Sequence, residues 1–417
     1  MQEKRALAIE KSILENKLIV LSESLPAWAT CALGFWVQTG TRWDPPGQGG
    51  LAHFLEHMLF KGTKERTPLR LAQDMDLLGG SMNAFTEQEQ TCFYTVVLGE
   101  DLEAALEILS DMLLNSTLEE CELERERGVI IEEIKMVEDD PQELASDLFY
   151  ATLWPHHPLG APIQGTVESV QALNRSQLWE FKERYYQGAN IIVAAAGAVE
   201  HGSLVELCQR YLGQLPAGAA VERTPGGAPQ PHPGRTLRRR PTEQVSLCCG
   251  WQTIAQDDPR RFEAAILDSA LGGSLSCRLF QEIREKSGLA YSVETFRSAY
   301  RDAGLFGVEV GASPAKVEAV LAAIDSIFAS IRREGISADE LERAIKHIKS
   351  SYALSLETTF GRMGKIVQNE RLYGRQVELA ELYAQLELVD RERIVEFARQ
   401  FFRPQDWRLA IVGPLED

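Results

Sequence analysis

Basic charge is scarce in this sequence. Lys and Arg number 43 against 61 Asp and Glu, a formal net charge of −18 over 417 residues. A chain this acidic repels phosphate backbones, so no nucleic-acid partner is expected, while cationic or peptide partners are electrostatically easier. Cysteine is sparse as well. The seven residues Cys31, Cys92, Cys121, Cys208, Cys248, Cys249 and Cys277 are scattered, odd in number and free of any C-x-x-C pair. That pattern argues against a disulfide framework or a cysteine zinc site and fits a reducing compartment. Long apolar runs are missing. The longest alanine-rich one, IIVAAAGAV at 191–199, is far too short to cross a bilayer, and the opening MQEKRALAIEKSIL has no apolar core of signal type. The expectation is a cytoplasmic, soluble protein with no membrane partner.

What is present is the composition of a globular protein, 44% hydrophobic and 25% charged, with enough chain for two or three domains. Short apolar pieces bounded by Gly and Pro read as strands: KLIVLSE (17–23) and CALGFWVQTG (31–40). TPLRLAQDMDLLGG reads as a helix with Pro68 early and Gly79-Gly80 at its end. Residues 81–99 have hairpin composition. Residues 101–136 read as two helices, because Thr117 and Glu120 suit a capping box between them, and Pro141 marks the next break. Residues 215–244 hold clustered Pro and Gly without a hydrophobic period, a linker signature. Strand, helix and strand signals then recur, closing on WRLAIVG (407–413). The order resembles that of the first half, and IIVAAAGAV matches RLAIVGPL in place. The expected division is therefore 1–215, a linker at 216–243, and 244–417, with two halves of similar architecture from an internal duplication.

One segment carries chemistry. GGLAHFLEHMLFKGT (49–63) holds two of the seven histidines, His53 and His57, with Glu56 between them. Residues four apart share a helix face, so both imidazoles can point at one ion. Glu56 stands beside them, where a general base would take a proton from a water activated by zinc. A surface helix that happens to carry these groups would not be flanked by Leu51, Phe54, Leu55, Met58, Leu59 and Phe60, and burying them without a partner is costly. A catalytic zinc needs a third protein ligand. His156 and His157 are candidates. A carboxylate from ERERGVIIEEIKMVE is the better one, since Glu126 and Glu133 lie two turns apart on one face, with Val129 and Ile130 suggesting that it points inward. Residue spacing leaves Glu126, Glu132 and Glu133 open. Acid is dense here: residues 100–147 hold 17 Asp/Glu against three Lys/Arg. Solvated helix faces are one reading, an acidic wall favouring basic peptides the other.

H-x-x-E-H is the inverted zinc motif. Together with GGSMNAFTEQEQTCFYTVV and ERERGVIIEEIKMVEDDP, it resembles the pitrilysin family of zinc peptidases, the inverzincins, and within it the mitochondrial processing peptidase type and its bacterial relatives. The resemblance spans nearly the whole chain. It implies that His53 and His57 bind zinc, that Glu133 is the third ligand, that Glu56 is the catalytic base and that Glu126 supports the site from behind. It implies that Asn83, Ala84, Phe85 and Thr86 form an edge strand on which a substrate peptide adds by backbone hydrogen bonds. It implies that Arg284 and Tyr291, in FQEIREKSGLAYSV, act with the zinc half to stabilise an oxyanion. Without the resemblance, Arg284 reads as a surface charge and Tyr291 as a core residue.

The implied fold is α+β, with each half a mainly antiparallel sheet covered by helices and the two arranged as a clamshell. The implied function is a zinc-dependent endopeptidase, one Zn2+ per chain, cleaving unfolded or extended peptides inside an enclosed chamber. Because the chain holds both the zinc motif and the Arg/Tyr pair, a homodimer is expected. Two rivals remain: a non-catalytic family member, which would typically have lost zinc ligands, and a peptide-binding holdase, which only an assay separates. The RRRP stretch (238–241) reads as solvated linker, with a basic docking patch as the alternative.

Overall fold

The computed structural model describes residues 9–219, 221–232 and 234–415. The first eight residues, part of the opening stretch expected to lack a signal-like run, lie outside the described residues. Eleven strands are present among those described: β1 (Ile9–Ile13), β2 (Ile19–Ser24), β3 (Thr30–Val37), β4 (Ser81–Thr86), β5 (Thr91–Leu98), β6 (Ile191–Gly197), β7 (Gly234–Arg239), β8 (Val245–Thr253), β9 (Ala290–Ala299), β10 (Gly304–Ala312) and β11 (Arg408–Gly413). Contacts divide the chain into two compact units. No described helix is long and apolar enough to cross a membrane.

The first unit contains the described residues up to Ile134, together with Pro162–Pro225 and Ser355–Gln376. Its sheet runs β1-β2-β6-β3-β5-β4, antiparallel except for the β2/β6 pair. β3 and β6 lie inside it, buried almost throughout, which is why TCALGFWV and IIVAAAG read as continuous apolar runs and not as alternating ones. Leu33, Phe35 and Val193 face one side, where they join Phe54, Leu55, Leu106 and Leu109 from the helices Leu51–Leu59 and Leu102–Asn115. Trp36, Ala194 and Ala196 face the other side, where Met363, Ile366 and Val367 of the helix Thr359–Tyr373 cover them. The period-two alternation of the strands thus feeds two cores.

The second unit contains Lys135–Ala161, Gly226–Leu354 and the described residues from Val377 onward. Its sheet runs β7-β11-β8-β10-β9, antiparallel except for β7/β11. Strand for strand this is β2-β6-β3-β5-β4 again, with the one parallel pair in the same place. The two halves are therefore related, as the match of β6 with β11 indicated. Trp251, Phe306, Phe328 and Phe402 build the core on one face. On the other, Phe149, Leu153 and Trp154 of the segment around the helix Pro141–Leu153 pack on β8 and β11.

Two sequence expectations differ from these contacts. Cuts at 215 and 244 do not separate the units. Each sheet has one face covered by a helix from the other half of the sequence: Pro141–Leu153 lies on the second sheet and Thr359–Tyr373 on the first. The expected linker is also not all linker. It contains β7, which pairs along its length with β11, and Leu237 packs against the core. Arg238 and Arg239 of RRRP belong to this edge strand, and the Arg240 amide donates to the Gly413 carbonyl at 3.0 Å. A strand whose side chains are mostly exposed arginine gives no hydrophobic period to read.

Candidate metal centre

Leu51–Leu59 is a helix because LAHFLEHML puts Leu51, Phe54, Leu55, Met58 and Leu59 on one stripe, all at most 1% exposed. Its start is fixed by Asp44. The Asp44 carboxylate accepts the amides of Gly50, Leu51 and Ala52 at 2.8, 3.2 and 3.0 Å, satisfying donors that a helix N-terminus otherwise leaves unpaired. Burial pushes the Asp44 carboxyl up, to about 8, against the pull of these three amides. Gly50 has φ of 87°, and a Cβ there would lie 2.4 Å from the Gln164 carbonyl oxygen, so the entry turn requires glycine.

The apolar stripe leaves His53 and His57 partly exposed and Glu56 buried. Glu133 comes from the helix Glu120–Asp139. Its Oε2 lies 3.6 Å from His57 Nε2 and 4.0 Å from His53 Nε2, and the ring centroids of the two histidines are 4.6 Å apart. Neither distance is a hydrogen bond. Three ligand atoms therefore converge without binding each other, all within 4.8 Å of one another, and no other such group occurs among the described residues. Ligands about 2.0–2.1 Å from a tetrahedral ion stand roughly 3.3 Å apart, so the trio fits a zinc-sized cation with little movement. Two imidazoles and a carboxylate are a zinc-type donor set.

Groups behind the trio set its electrostatics. His57 Nδ1 donates to Glu126 Oε2 at 3.1 Å, which leaves Nε2 as the free lone pair facing Glu133. Glu126 Oε1 in turn binds Lys61 Nζ at 2.7 Å. Burial alone would raise the Glu126 carboxyl, but the bonds to His57 and Lys61 outweigh it and hold it below its ordinary range. Burial disfavours charge on His57 too, yet Glu126, Glu133 and Glu56 together raise it. His53 has no such support. Its Nδ1 is buried without a hydrogen-bond partner among the described residues, and burial with the neighbouring His57 pushes it down to about 3, so it stays neutral, the state a ligand needs. Glu56 is raised by burial, with Glu133 adding to the effect, while a bond from Thr86 Oγ1 at 2.5 Å works against it.

The residues the sequence singled out fall as follows. His53, His57 and Glu133 come together, with Glu126 behind His57 and Glu56 beside the pair. Glu132, on the same helix, is exposed and faces elsewhere. Val129, expected inward with Ile130, is 44% exposed, whereas Ile130 is fully buried. His157 is used locally: Nδ1 accepts the Leu159 amide at 3.1 Å and Nε2 donates to the Gly227 carbonyl at 3.0 Å. Asn83, Ala84, Phe85 and Thr86 lie in β4, the outer strand of the first sheet, which packs beside the helix Leu51–Leu59. Thr86 is buried and its side chain serves Glu56. In the second unit, Arg284 sits in the π-helical stretch Phe280–Lys286 with its guanidinium 4.8 Å over the Phe280 ring, and Tyr291 is 55% exposed on the edge strand β9. Sequence reasoning missed Lys61, Asp44 and the Thr86–Glu56 bond. Lys61 was within reach, since it lies four residues after His57, just past the end of the helix Leu51–Leu59. The Thr86 contact crosses 30 residues and left no local signal.

Residues 19–167 match the profile of insulinase, peptidase family M16, and residues 172–348 match the profile named peptidase M16 inactive domain. The chain is 36% identical over 406 residues to an uncharacterised zinc protease of Bacillus subtilis, covering 97% of this chain and 98% of the relative. The chain belongs to the M16 peptidase family. Within it, the processing-peptidase type is the kin: identity to the mitochondrial-processing peptidase beta subunit of Bos taurus is 32% over 414 residues, 97% of this chain and 84% of that one. The fold of this M16 member is shared by a protease from Helicobacter pylori, with a TM-score of 0.91 at 21% identity, covering 98% and 99% of the two chains. His53, Glu56, His57, Glu126 and Glu133 all fall within the stretch matching the first profile. Arg284 and Tyr291 fall within the second.

Proposed function

We propose that this M16 family member is a zinc endopeptidase acting on extended peptides, with His53, His57 and Glu133 holding one zinc ion per chain. The observation that carries this reading is the convergence of those three ligand atoms beside a buried carboxylate, Glu56, that binds none of them. When bound, zinc would acidify a water and polarise the scissile carbonyl. Glu56 takes the proton of that water and later passes it to the leaving amine, and Thr86 holds its carboxylate in place. Glu126 and Lys61 keep His57 in the tautomer that presents Nε2. The free edge of β4, at Asn83, Ala84 and Phe85, receives the substrate backbone as an added strand, so the enzyme selects extended chains more than particular side chains. Arg284 and Tyr291 stabilise the developing oxyanion, one as a fixed cation and the other as a phenol donor.

The same reading includes a cytoplasmic homodimer whose halves enclose the substrate, and a preference for basic peptides that follows from the net charge of −18. The test is digestion of a mixed library of unstructured peptides by purified protein, read by mass spectrometry, with and without a zinc chelator. Cleavage that stops with chelator and returns with zinc supports the peptidase. Peptide binding without cleavage in a zinc-loaded sample, with no second chain co-purifying, would make the protein a holdase.

A further inference from the structure

β9 runs antiparallel to β10 in regular register from Ala299 opposite Gly304 to Ser292 opposite Gly311. One more regular step would set Tyr291 opposite Ala312. Ala290 stands there instead, so Tyr291 is the extra residue of a β-bulge. The consequence is a change of face. Val308, Val310 and Ala312 of β10 and Val293 of β9 line the core of the second unit. An unbroken ladder would send Tyr291 into that core next to Val293. The bulge gives the place to Ala290, which is 8% exposed, and leaves Tyr291 55% exposed. Its hydroxyl makes no hydrogen bond among the described residues.

The exposed ring has a seat. A Cβ on Gly311 would lie 2.3 Å from Tyr291 Cε1 and 2.7 Å from Cζ, with Ser292 Oγ also at 2.7 Å. The ring therefore lies directly on the Gly311 backbone. Gly307, two turns of the pleat away, accommodates the Phe296 ring in the same way, but Phe296 packs on Phe149 at 5.6 Å and core packing explains it. Tyr291 gains little burial from its seat, so packing does not explain Gly311. The atoms a methyl would strike are the ends of movable side chains, and Gly311 is not among the glycines with positive φ. An alanine here displaces the ring and spares the strand.

We propose that Gly311 is a positioning residue for the peptidase reaction: the bulge turns Tyr291 out of the core, and the missing Cβ holds its phenol at the height from which it meets the substrate carbonyl. This rests on the reading that Tyr291 acts on the substrate, and the experiment separates the two. Zinc-loaded full-length wild type, Gly311→Ala, Tyr291→Phe and the double variant are compared for kcat and KM on a quenched fluorescent peptide. Zinc content, melting temperature and the rate of Tyr291 nitration by tetranitromethane, located by mass spectrometry, are measured alongside. Gly311→Ala is expected to keep its zinc, change the nitration rate and lower kcat by about 10- to 100-fold with little change in KM. The double variant should match Tyr291→Phe within about twofold, since both changes act through one group. Losses that multiply, or a Gly311→Ala enzyme with full kcat while Tyr291→Phe is impaired, would overturn the proposal. Wild-type activity in Tyr291→Phe would instead remove Tyr291 from the mechanism, and Gly311 with it as a positioning residue, while an altered nitration rate in Gly311→Ala would still report the seat. An unchanged nitration rate overturns the seat itself, whatever the activity. Should Gly311→Ala melt earlier, Tyr291→Ala added to it restores the melting temperature if the ring is what the methyl strikes, and failure to restore it counts against the seat.

Discussion

In the proposed function, single side chains at the candidate metal centre divide the work between holding and reacting. Glu56 binds none of the three ligand atoms, so Glu56→Gln should retain zinc, measured by elemental analysis, and lose peptide hydrolysis. A variant that loses the metal as well would make Glu56 a ligand. Lys61 is linked to the candidate ligand His57 through Glu126. Removing its charge in Lys61→Met leaves Glu126 buried without its cation and frees His57 to turn. Zinc affinity should fall by about 10- to 100-fold in a chelator competition, with the fold intact by circular dichroism. Equal affinity in the two proteins would show that His57 is held by packing alone.

Among elements, the helix Arg175–Tyr185 has the clearest pH signature. It packs against the helix Leu51–Leu59, and Lys182 is buried in it, with Nζ 4.8 Å over the Trp179 ring and 3.4 Å from the Leu114 carbonyl. Burial, with Lys64 nearby, lowers the ammonium from 10.5 to about 8. Below pH 8 both folded and unfolded chains carry the proton, and the folded state bears the whole cost of the buried charge. Between about 8 and 10.5 the unfolded chain binds more protons, so Lys182 becomes progressively less destabilising as pH rises. Lys182→Met should therefore stabilise the protein near neutrality, by up to about 3 kcal/mol, and the gain should fade towards pH 10.5. A gain independent of pH in denaturant titrations would mean that packing and not charge is responsible. The turn between β1 and β2 offers a second case. Lys17 has φ of 69°, a conformation that costs a side-chain-bearing residue roughly 1 kcal/mol and glycine almost nothing. Lys17→Gly should raise the melting temperature slightly, and a fall would show that the bond from Lys17 Nζ to the Gly218 carbonyl matters more.

At the scale of the whole molecule, two features stand out: the net charge and the repeat of one five-strand order. A chain at −18 with 17 acidic residues between 100 and 147 should draw basic peptides at low ionic strength. Cleavage of Arg/Lys-rich peptides should fall steeply as salt is raised, and cleavage of neutral peptides should not. A flat profile for both would remove charge from substrate selection. In the proposed function, the two copies of the sheet carry different groups. The same five-strand order occurs twice, but the edge strand β4 ends on Thr86, next to the metal helix, whereas its counterpart β9 opens on the bulge that exposes Tyr291.

Local patterning determined much of this protein. His53, Glu56 and His57 lie within five residues, and helix geometry alone brings their side chains to one place, so that part of the site was legible without a fold. Strands such as β3, β6 and β11 were legible because their side chains are buried on both faces and read as apolar runs. For a third candidate ligand, the sequence offered His156 and His157 and left Glu126, Glu132 and Glu133 open, and tertiary structure separates the three carboxylates: Glu133 lies with His53 and His57, Glu126 turns to His57 and Lys61, and Glu132 is outside the group. The same holds for Thr86, whose bond to Glu56 spans two elements, for the helices Pro141–Leu153 and Thr359–Tyr373, whose apolar faces do not say which sheet they cover, and for β7, whose arginines hide a strand that backbone pairing makes. Tyr291 is the sharpest case. Without the family resemblance the sequence reads it as a core residue, and one bulged residue, set by the pairing of β9 with β10, turns it to the surface. Periodicity reports how a segment meets water, whereas partner choice and register are fixed only when distant segments pack.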